Sequence, residues 1–355
     1  MPLHLQAPTQ PAATTLHEEI LTAASRSDYG AAVFSYATRD GITLLLGDEA
    51  IAPLLASGQF ELIVGVDDVT DTRAIEALEA IRREIPGLSV RAFFHQIPDA
   101  TFHPKFCWFG GRRSGTLIVG SGNLTGRGLR RNWEAFTTTR LDIAALRQLR
   151  LQWERWKASH AQLLLPIDDP RVVDQARRNA IRPHRARPPA DQVQPPVPLP
   201  AYSVLVAEIP RAKTRWNQAN FDLATFRGFF GAEPGQLHRI VLQHVNPDGS
   251  LAEIENRPAV SVASHNYRFE LAPGRGLPYP DAGRPIGVFV RVGPRTFTYR
   301  LAMPNDPDYL CITQFLAERW NGPASRLRRI STDVVTLREA CPDSPMWPPI
   351  VSPEE

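Results

Sequence analysis

The chain has 355 residues, 40 Lys+Arg against 37 Asp+Glu, a formal net charge of +3 and 43% hydrophobic residues, which predicts two domains and excludes a globally disordered chain. No stretch approaches the ~18 uninterrupted apolar residues of a spanning helix, and the first fifteen residues lack a signal-peptide pattern. Cys107, Cys311 and Cys341 are dispersed and odd in number, so neither a disulfide framework nor a cysteine-based zinc site is expected, and a reducing cytoplasm is the default setting.

An N-terminal domain over 1–165 alternates strands with helices. Residues 31–38 and 60–66 read as buried strands. A helix over 70–85 starts from Thr70 or Asp71, repeats Ile75, Leu78, Ile81 and Ile85 at helical spacing, and stops at Pro86-Gly87. Strands follow over 88–94, 102–109, 116–119 and 133–138. A helix over 141–160 carries Leu146, Leu149, Trp153 and Trp156 on one stripe. This order predicts an α/β sandwich, a mixed sheet flanked by helices. Residues 166–200 read as an Arg/Pro-rich linker, with seven prolines from Pro183 to Pro200 and six Arg against one Asp from Arg171 to Arg187. Residues 201–325 change texture, with short runs over 203–209, 239–245, 259–262, 267–271, 286–292 and 296–301, which predicts a mainly β domain built as a small barrel. Residues 326–355, rich in proline, read as a tail.

The chemistry starts at Thr101-Phe-His-Pro-Lys-Phe-Cys-Trp-Phe109. On a strand, Phe102, Phe106 and Trp108 would face a core, and His103, Lys105 and Cys107 the other side. An imidazole beside an ammonium suits a phosphate: one attacks phosphorus or carries protons, the other neutralises oxygens. Lys105 is one of only three lysines, with Lys157 and Lys213, against 37 arginines. Next, the strand 116–119 runs into Gly120-Ser-Gly-Asn-Leu-Thr-Gly126, a turn whose N–H groups, Ser121 and Asn123 suit an anion. Glu134, in Asn132-Trp-Glu134, supplies a carboxylate that could orient the imidazole or anchor Lys105. Taken singly, each motif is common on ordinary surfaces; the three in order are not.

The order His103-x-Lys105, Gly120-Ser121-Gly122-Asn123, Glu134 resembles the phospholipase D superfamily over about 130 residues. The acidic position five residues after the lysine is Gly110 here, which departs from the phospholipase pattern. The resemblance implies a phospholipase D-like α/β fold and a metal-independent phosphodiesterase with no cofactor. His103 of one protomer would form a phosphohistidine and that of the other would serve as acid and then base. Lys105, Ser121 and Asn123 would hold the non-bridging oxygens, and Glu134 would orient or polarise the histidine. Residues 155 and 211, two before the other lysines, are both Arg, so the chain holds one His-x-Lys set and a homodimer is required.

In the second domain Arg211, Lys213 and Arg215 alternate and Trp216, Asn217, Gln218 and Asn220 follow; a second cluster is His265, Asn266, Tyr267 and Arg268. Cations for phosphates beside amides for base edges is a DNA-reading composition. The order resembles NgoFVII-type restriction endonucleases, in which a phospholipase D-like nuclease precedes a pseudobarrel of the plant "B three" type. That implies a restriction enzyme whose partner is double-stranded DNA, gripped by two arms. The alternatives are a phospholipid phosphodiesterase, a DNA-binding regulator with a degenerate nuclease fold, and a nuclease subunit of a larger complex. The chain has no Gly-Lys-Ser/Thr phosphate loop, so an ATPase or translocase would be a separate partner; no membrane partner is expected.

Overall fold

The structure, a computed structural model, describes residues 2–181, 203–211, 216–259, 267–324 and 326–347. The chain divides into two compact units, one of residues 1–8 and 13–184, the other of 9–12 and 185–355.

The first unit runs β1 (Leu3–Gln6), α1 (Leu16–Ala24), β2 (Tyr29–Phe34), α2 (Arg39–Leu46), α3 (Ala52–Ala56), β3 (Phe60–Gly65), α4 (Thr72–Glu84), β4 (Ser89–Phe93), β5 (Lys105–Gly110), β6 (Gly115–Gly120), β7 (Glu134–Leu141), α5 (Ile143–Ser159), β8 (Leu164–Pro166) and α6 (Pro170–Ile181). These strands make one mixed sheet in the order β1-β7-β6-β5-β2-β3-β4-β8. β2 pairs in parallel with β3, and β3 with β4; the other neighbours are antiparallel. The central runs Tyr-Gly-Ala-Ala-Val-Phe and Phe-Glu-Leu-Ile-Val-Gly are buried on both faces, which is why they lack an alternating pattern. Asp71 caps α4 and Asp142 caps α5, each carboxylate accepting from an N–H three residues on. α5 buries Leu146 and Trp153 against Ala31, Val33, Ile63, Phe93, Phe102 and Trp108.

α6 falls where the sequence predicts linker. Its buried Val172 and Ala176 share a face with Asn179, whose Nδ2 donates to the carbonyls of Val66 (2.8 Å) and Thr70 (2.9 Å). The proline-rich composition that signals a spacer begins only after this helix.

The second unit runs β9 (Ser203–Glu208), β10 (Gln218–Phe221), α7 (Leu223–Gly228), β11 (Arg239–Val245), β12 (Leu251–Pro258), β13 (Tyr267–Glu270), β14 (Ile286–Gly293), β15 (Thr296–Ala302), α8 (Tyr309–Arg319), β16 (Arg329–Asp333) and α9 (Val334–Ala340). Six strands form a sheet in the order β12-β11-β15-β14-β9-β16, and β10 pairs with β13 as a separate ribbon. The described strands form an open sheet with β12 and β16 at its edges, not a closed barrel. The expected strand over 259–262 lies outside the described residues, Ala259 excepted. One core holds Phe221, Phe226, Phe230, Phe269, Phe289 and Phe297. The other holds Val204, Val206, Val288, Val290, Phe315 and Leu316. The expected tail is part of this fold: β16 pairs with β9, and Met346 and Trp347 are buried. Cys311 and Cys341 pair as a disulfide, which their wide spacing in the sequence did not suggest.

Two buried histidines are held neutral. His17 Nε2–H donates to the Leu44 carbonyl (2.9 Å) while Nδ1 is buried without a partner. A second proton would bury an unpaired charged donor; burial, reinforced by Arg130, lowers this imidazole to about 4. His244 has the same arrangement, Nδ1 on the Asn246 side-chain oxygen (3.2 Å) and Nε2 unpartnered, and burial lowers it to about 4. An unfolded histidine titrates near ~6.5. As pH falls below that value the unfolded chain binds protons first, so stability is lost from there down to the folded value of about 4. Thermal denaturation between pH 7 and pH 5 should show a falling midpoint. The H17Q/H244N variant should flatten that fall, and an equally steep fall in the variant contradicts this origin.

Candidate active site

Antiparallel pairing carries the end of β2, the start of β5, the end of β6 and the start of β7 to one edge of the sheet. Phe34 stands opposite Lys105, Phe106 opposite Val119, and Gly120 opposite Phe136. His103, Lys105, Ser121, Asn123 and Glu134 therefore meet there, although 31 positions separate the first from the last.

His103 is exposed just before β5, its ring edge-on to Tyr36 with centroids 6.2 Å apart. Its position is set from behind: the Phe102 N–H donates to Asp67 Oδ2 (2.6 Å), which also takes His95 Nε2 (3.2 Å). Lys105 Nζ donates to Ser35 Oγ (2.9 Å) and to the His103 carbonyl (3.0 Å), and Ser35 Oγ–H donates to the Pro104 carbonyl (3.2 Å). The ammonium is thus fixed beside the imidazole by neutral acceptors. Partial burial lowers the Lys105 pKa, and the charge of Glu134 opposes that shift.

Glu134 binds Ser121 Oγ–H and Asn132 Nδ2 (3.0 Å for the latter). Ser121 also accepts from the Ala135 N–H (3.1 Å). Its proton is spent on Glu134, so it holds the carboxylate in the free chain. No hydrogen bond joins Glu134 to His103 within one chain. Asn123 Oδ1 accepts from the Tyr36 N–H (3.2 Å), which leaves Nδ2 as the end that can donate outward. Beside it, Leu124 makes a parallel bridge to Ala37.

The loop between β6 and β7 closes on itself through a π-helical turn, Arg127–Arg131. A Cβ on Gly128 would lie 2.6 Å from the Asn123 carbonyl oxygen, and one on Gly41 would lie 2.2 Å from that of Leu124. The glycines are therefore required by close approach. Arg130 pairs with Glu18 (3.1 Å) in near-complete burial. Gln6 Nε2 donates to the carbonyls of Gly128 and Asn132 (3.1 Å each).

Cys107, expected on the side of His103 and Lys105, is buried in the sheet interior, and burial raises its thiol pKa. β5 is a central strand, so both of its faces are covered. Ser35, Tyr36 and Asp67 complete the site and were not singled out as site residues in the sequence; the only signal for them is position at strand ends. Among the described residues no three His, Cys, Asp or Glu side chains cluster as a metal site.

The residues proposed to read DNA are split. Trp216 is 2% exposed, its Nε1–H donating to the Leu277 carbonyl (2.7 Å). Asn217 is buried and donates to Glu270 Oε1 (3.2 Å). Both hold the ribbon together and are not free to read bases. Gln218, Asn220 and Arg268 lie on the ribbon, with Asn220 opposite Arg268, while Ala219 and Phe221 alternate inward. Arg211 is exposed, near Asp281 (3.3 Å) and over the Tyr279 ring. Lys213, Arg215, His265 and Asn266 lie outside the described residues, as does the Tyr267 side chain.

No protein-family model matches the chain, and no curated protein does. Similar solved structures include NucT from Helicobacter pylori, with TM-score 0.30 and 11% identity over 41% of this chain and 87% of that one. A phospholipase D family member, Nuc from Salmonella typhimurium, gives 0.32 and 15% over 46% and 95%. Yeast tyrosyl-DNA phosphodiesterase gives 0.26 and 16% over 40% and 32%. At this level of likeness the neighbours carry no weight for function, which rests on the side chains themselves.

The three lysines allow the site's electrostatics to be read directly. After reductive 13C-methylation, the Lys105 resonance should titrate below an ordinary lysine. Lys157 is also partly buried, but its bonds to Glu61 (2.8 Å) and Glu154 (3.1 Å) outweigh that, and it should titrate above. E134Q removes the charge that retains the Lys105 proton, so Lys105 should move further down. A Lys105 titration unmoved by E134Q contradicts the arrangement.

Proposed function

We propose that the chain is a phosphodiesterase of the phospholipase D type that cleaves DNA, acting as a homodimer around a shared site. The observation that carries this reading is the convergence of an exposed His103 imidazole, the Lys105 ammonium, Asn123 Nδ2 and Glu134 on one sheet edge. In this mechanism His103 Nε2 attacks phosphorus. The P–N bond forms as the P–O bond to the leaving oxygen breaks, and His103 of the partner subunit gives that oxygen its proton. The same partner imidazole, now neutral, takes a proton from water. The resulting hydroxide displaces His103 from phosphorus. Lys105 and Asn123 donate to the non-bridging oxygens, where negative charge grows.

Two features support a second copy. The chain carries a single His-x-Lys set. Beside the site, Leu3 and Leu5 of β1 and Val119 of β6 share one face by register and are exposed, as is Trp133 next to Glu134. An apolar patch bordering an incomplete site fits a copy of the same chain.

The β10–β13 ribbon gives the second unit its DNA-facing element in this reading: Gln218, Asn220 and Arg268 for base edges and phosphates, with Arg211 nearby. A nuclease fused to such a module suits a restriction or defence enzyme.

Purified protein should nick plasmid DNA in EDTA, and H103A should lower the rate by at least ~10³-fold, as expected for loss of a nucleophile. Acid-labile, alkali-stable label should appear on wild type incubated with 5′-32P oligonucleotide and be absent from H103A. Cleavage by H103A at the wild-type rate, or hydrolysis of phosphatidylcholine in place of DNA, contradicts the proposal. R268A and N220A should weaken duplex binding, R268A also lowering the salt slope by about one, as for a lost phosphate contact. Binding isotherms in which neither variant differs from wild type rule the ribbon out.

A further inference from the structure

Between the sheet and α5, opening at His103, lies a cavity of about 460 Å³ that the mechanism above does not use. Its walls are rings. Trp153 and Trp156 stack at 5.3 Å, Phe93 and Phe102 at 4.0 Å, and Trp156 continues onto His160 at 5.0 Å. Phe106 and Trp108 close the sheet side. The lining is almost wholly apolar, with polar groups confined to Thr101, Gln152, His103 and His160.

One group breaks that pattern. The Trp108 indole N–H is buried without a hydrogen-bond partner, although Trp108 is only 4% exposed. A buried donor left unpaired costs free energy comparable to a lost hydrogen bond, and buried indoles usually find an acceptor. A ligand that supplies one acceptor to an otherwise apolar, ring-lined space would remove that cost. His160 adds a second polar feature: Nδ1–H donates to the Trp156 carbonyl (2.8 Å), so in the neutral ring Nε2 is the free acceptor.

We propose that this cavity seats one nucleobase of the substrate, swung out of its strand so that the adjoining phosphodiester lies at His103. The proposal rests on the phosphodiesterase reading above and adds the group it recognises. A nucleobase is flat, stacks on aromatic faces, and carries ring nitrogens or carbonyl oxygens at its edge that can accept from the Trp108 N–H. An acyl chain would fill apolar space but leave that donor unpaired. The volume admits a base with its sugar, and placing the base between α5 and the sheet fixes which phosphate reaches the imidazole.

The test uses the full-length protein and two readouts. In the first, 2-aminopurine deoxyriboside 5′-monophosphate is titrated, and its fluorescence should be quenched saturably by stacking. H103A should retain the quenching. W156A should weaken it about tenfold or more, the size of one base–aromatic stack. W108F, which keeps the ring and deletes the donor, should weaken it by ~3- to 10-fold. L149W fills the cavity instead of emptying it and should abolish binding, which guards against a W156A variant that merely folds poorly. In the second readout, oligonucleotides with and without a tetrahydrofuran abasic residue beside the cut are compared. Wild type should prefer the base-bearing strand, and W156A should cut both alike. Quenching without cleavage of any oligonucleotide would sink the nuclease reading and leave the cavity assignment standing. Cleavage without quenching, quenching indifferent to W108F and L149W, or displacement of the probe by dihexanoylphosphatidylcholine at lower concentration than by thymidine monophosphate would overturn the base pocket.

Discussion

Arg130 and Glu18 face each other with almost no access to water, and the loop that carries Ser121 and Asn123 is fastened through them. Thr15 caps α1 by accepting from the Glu18 N–H, donates to the Glu18 carboxylate and accepts from Arg130. Gln6 reaches from β1 to two carbonyls of the same loop and takes the Leu16 N–H on its other end (2.9 Å). A buried ion pair adds little net stability over well-packed hydrocarbon, because desolvation offsets attraction. Losing one partner is different, since a bare buried charge costs about 3–5 kcal/mol. The pair therefore acts on position: the π-helical turn has one low-energy place to sit, and Asn123 is carried with it.

The front of the site is built in the same manner from backbone carbonyls and hydroxyls. Lys105 is held by Ser35 and by the carbonyl of His103, and Glu134 by Ser121 and Asn132. Neither charged group is neutralised by direct contact with the other, so the ammonium keeps its field for an incoming anion and the carboxylate keeps its own for whatever cation approaches the edge. A second imidazolium delivered from another copy would meet that carboxylate without having to displace a salt bridge.

Much of this was legible in the sequence because it rests on short-range rules. The caps at Asp71 and Asp142, the stop at Pro86-Gly87 and the doubly buried central strands follow from local residue types. So does the order of His103, Lys105, Asn123 and Glu134, which antiparallel neighbours must bring to one edge. What was not legible depends on partners far along the chain. Cys107 alternates with the site residues yet is buried, because β5 lies between β2 and β6 with both faces covered. Trp216 and Asn217 have the composition of a nucleic-acid reader, but Leu277 and Glu270, more than fifty residues on, claim their hydrogen bonds. Ser121 has the look of a phosphate ligand until Glu134 takes its proton. α6 was hidden by counting its arginines with those that follow it. The aromatic cavity draws its walls from residues between 33 and 160, and no window of sequence spans that set.

The glycines at 41 and 128 carry a consequence for how the protein can vary. At each, an added methyl group would stand well inside van der Waals contact with a backbone oxygen of the Asn123-Leu124 segment. Backbone cannot rotate out of the way as a side chain can. An alanine at either place would be transmitted as a shift of the amide beside the imidazole, so a change on α2 or in the turn reaches the chemistry without touching any reacting group. Drift in this chain is therefore freest where its prolines and arginines lie thickest, and most confined at positions with no side chain at all.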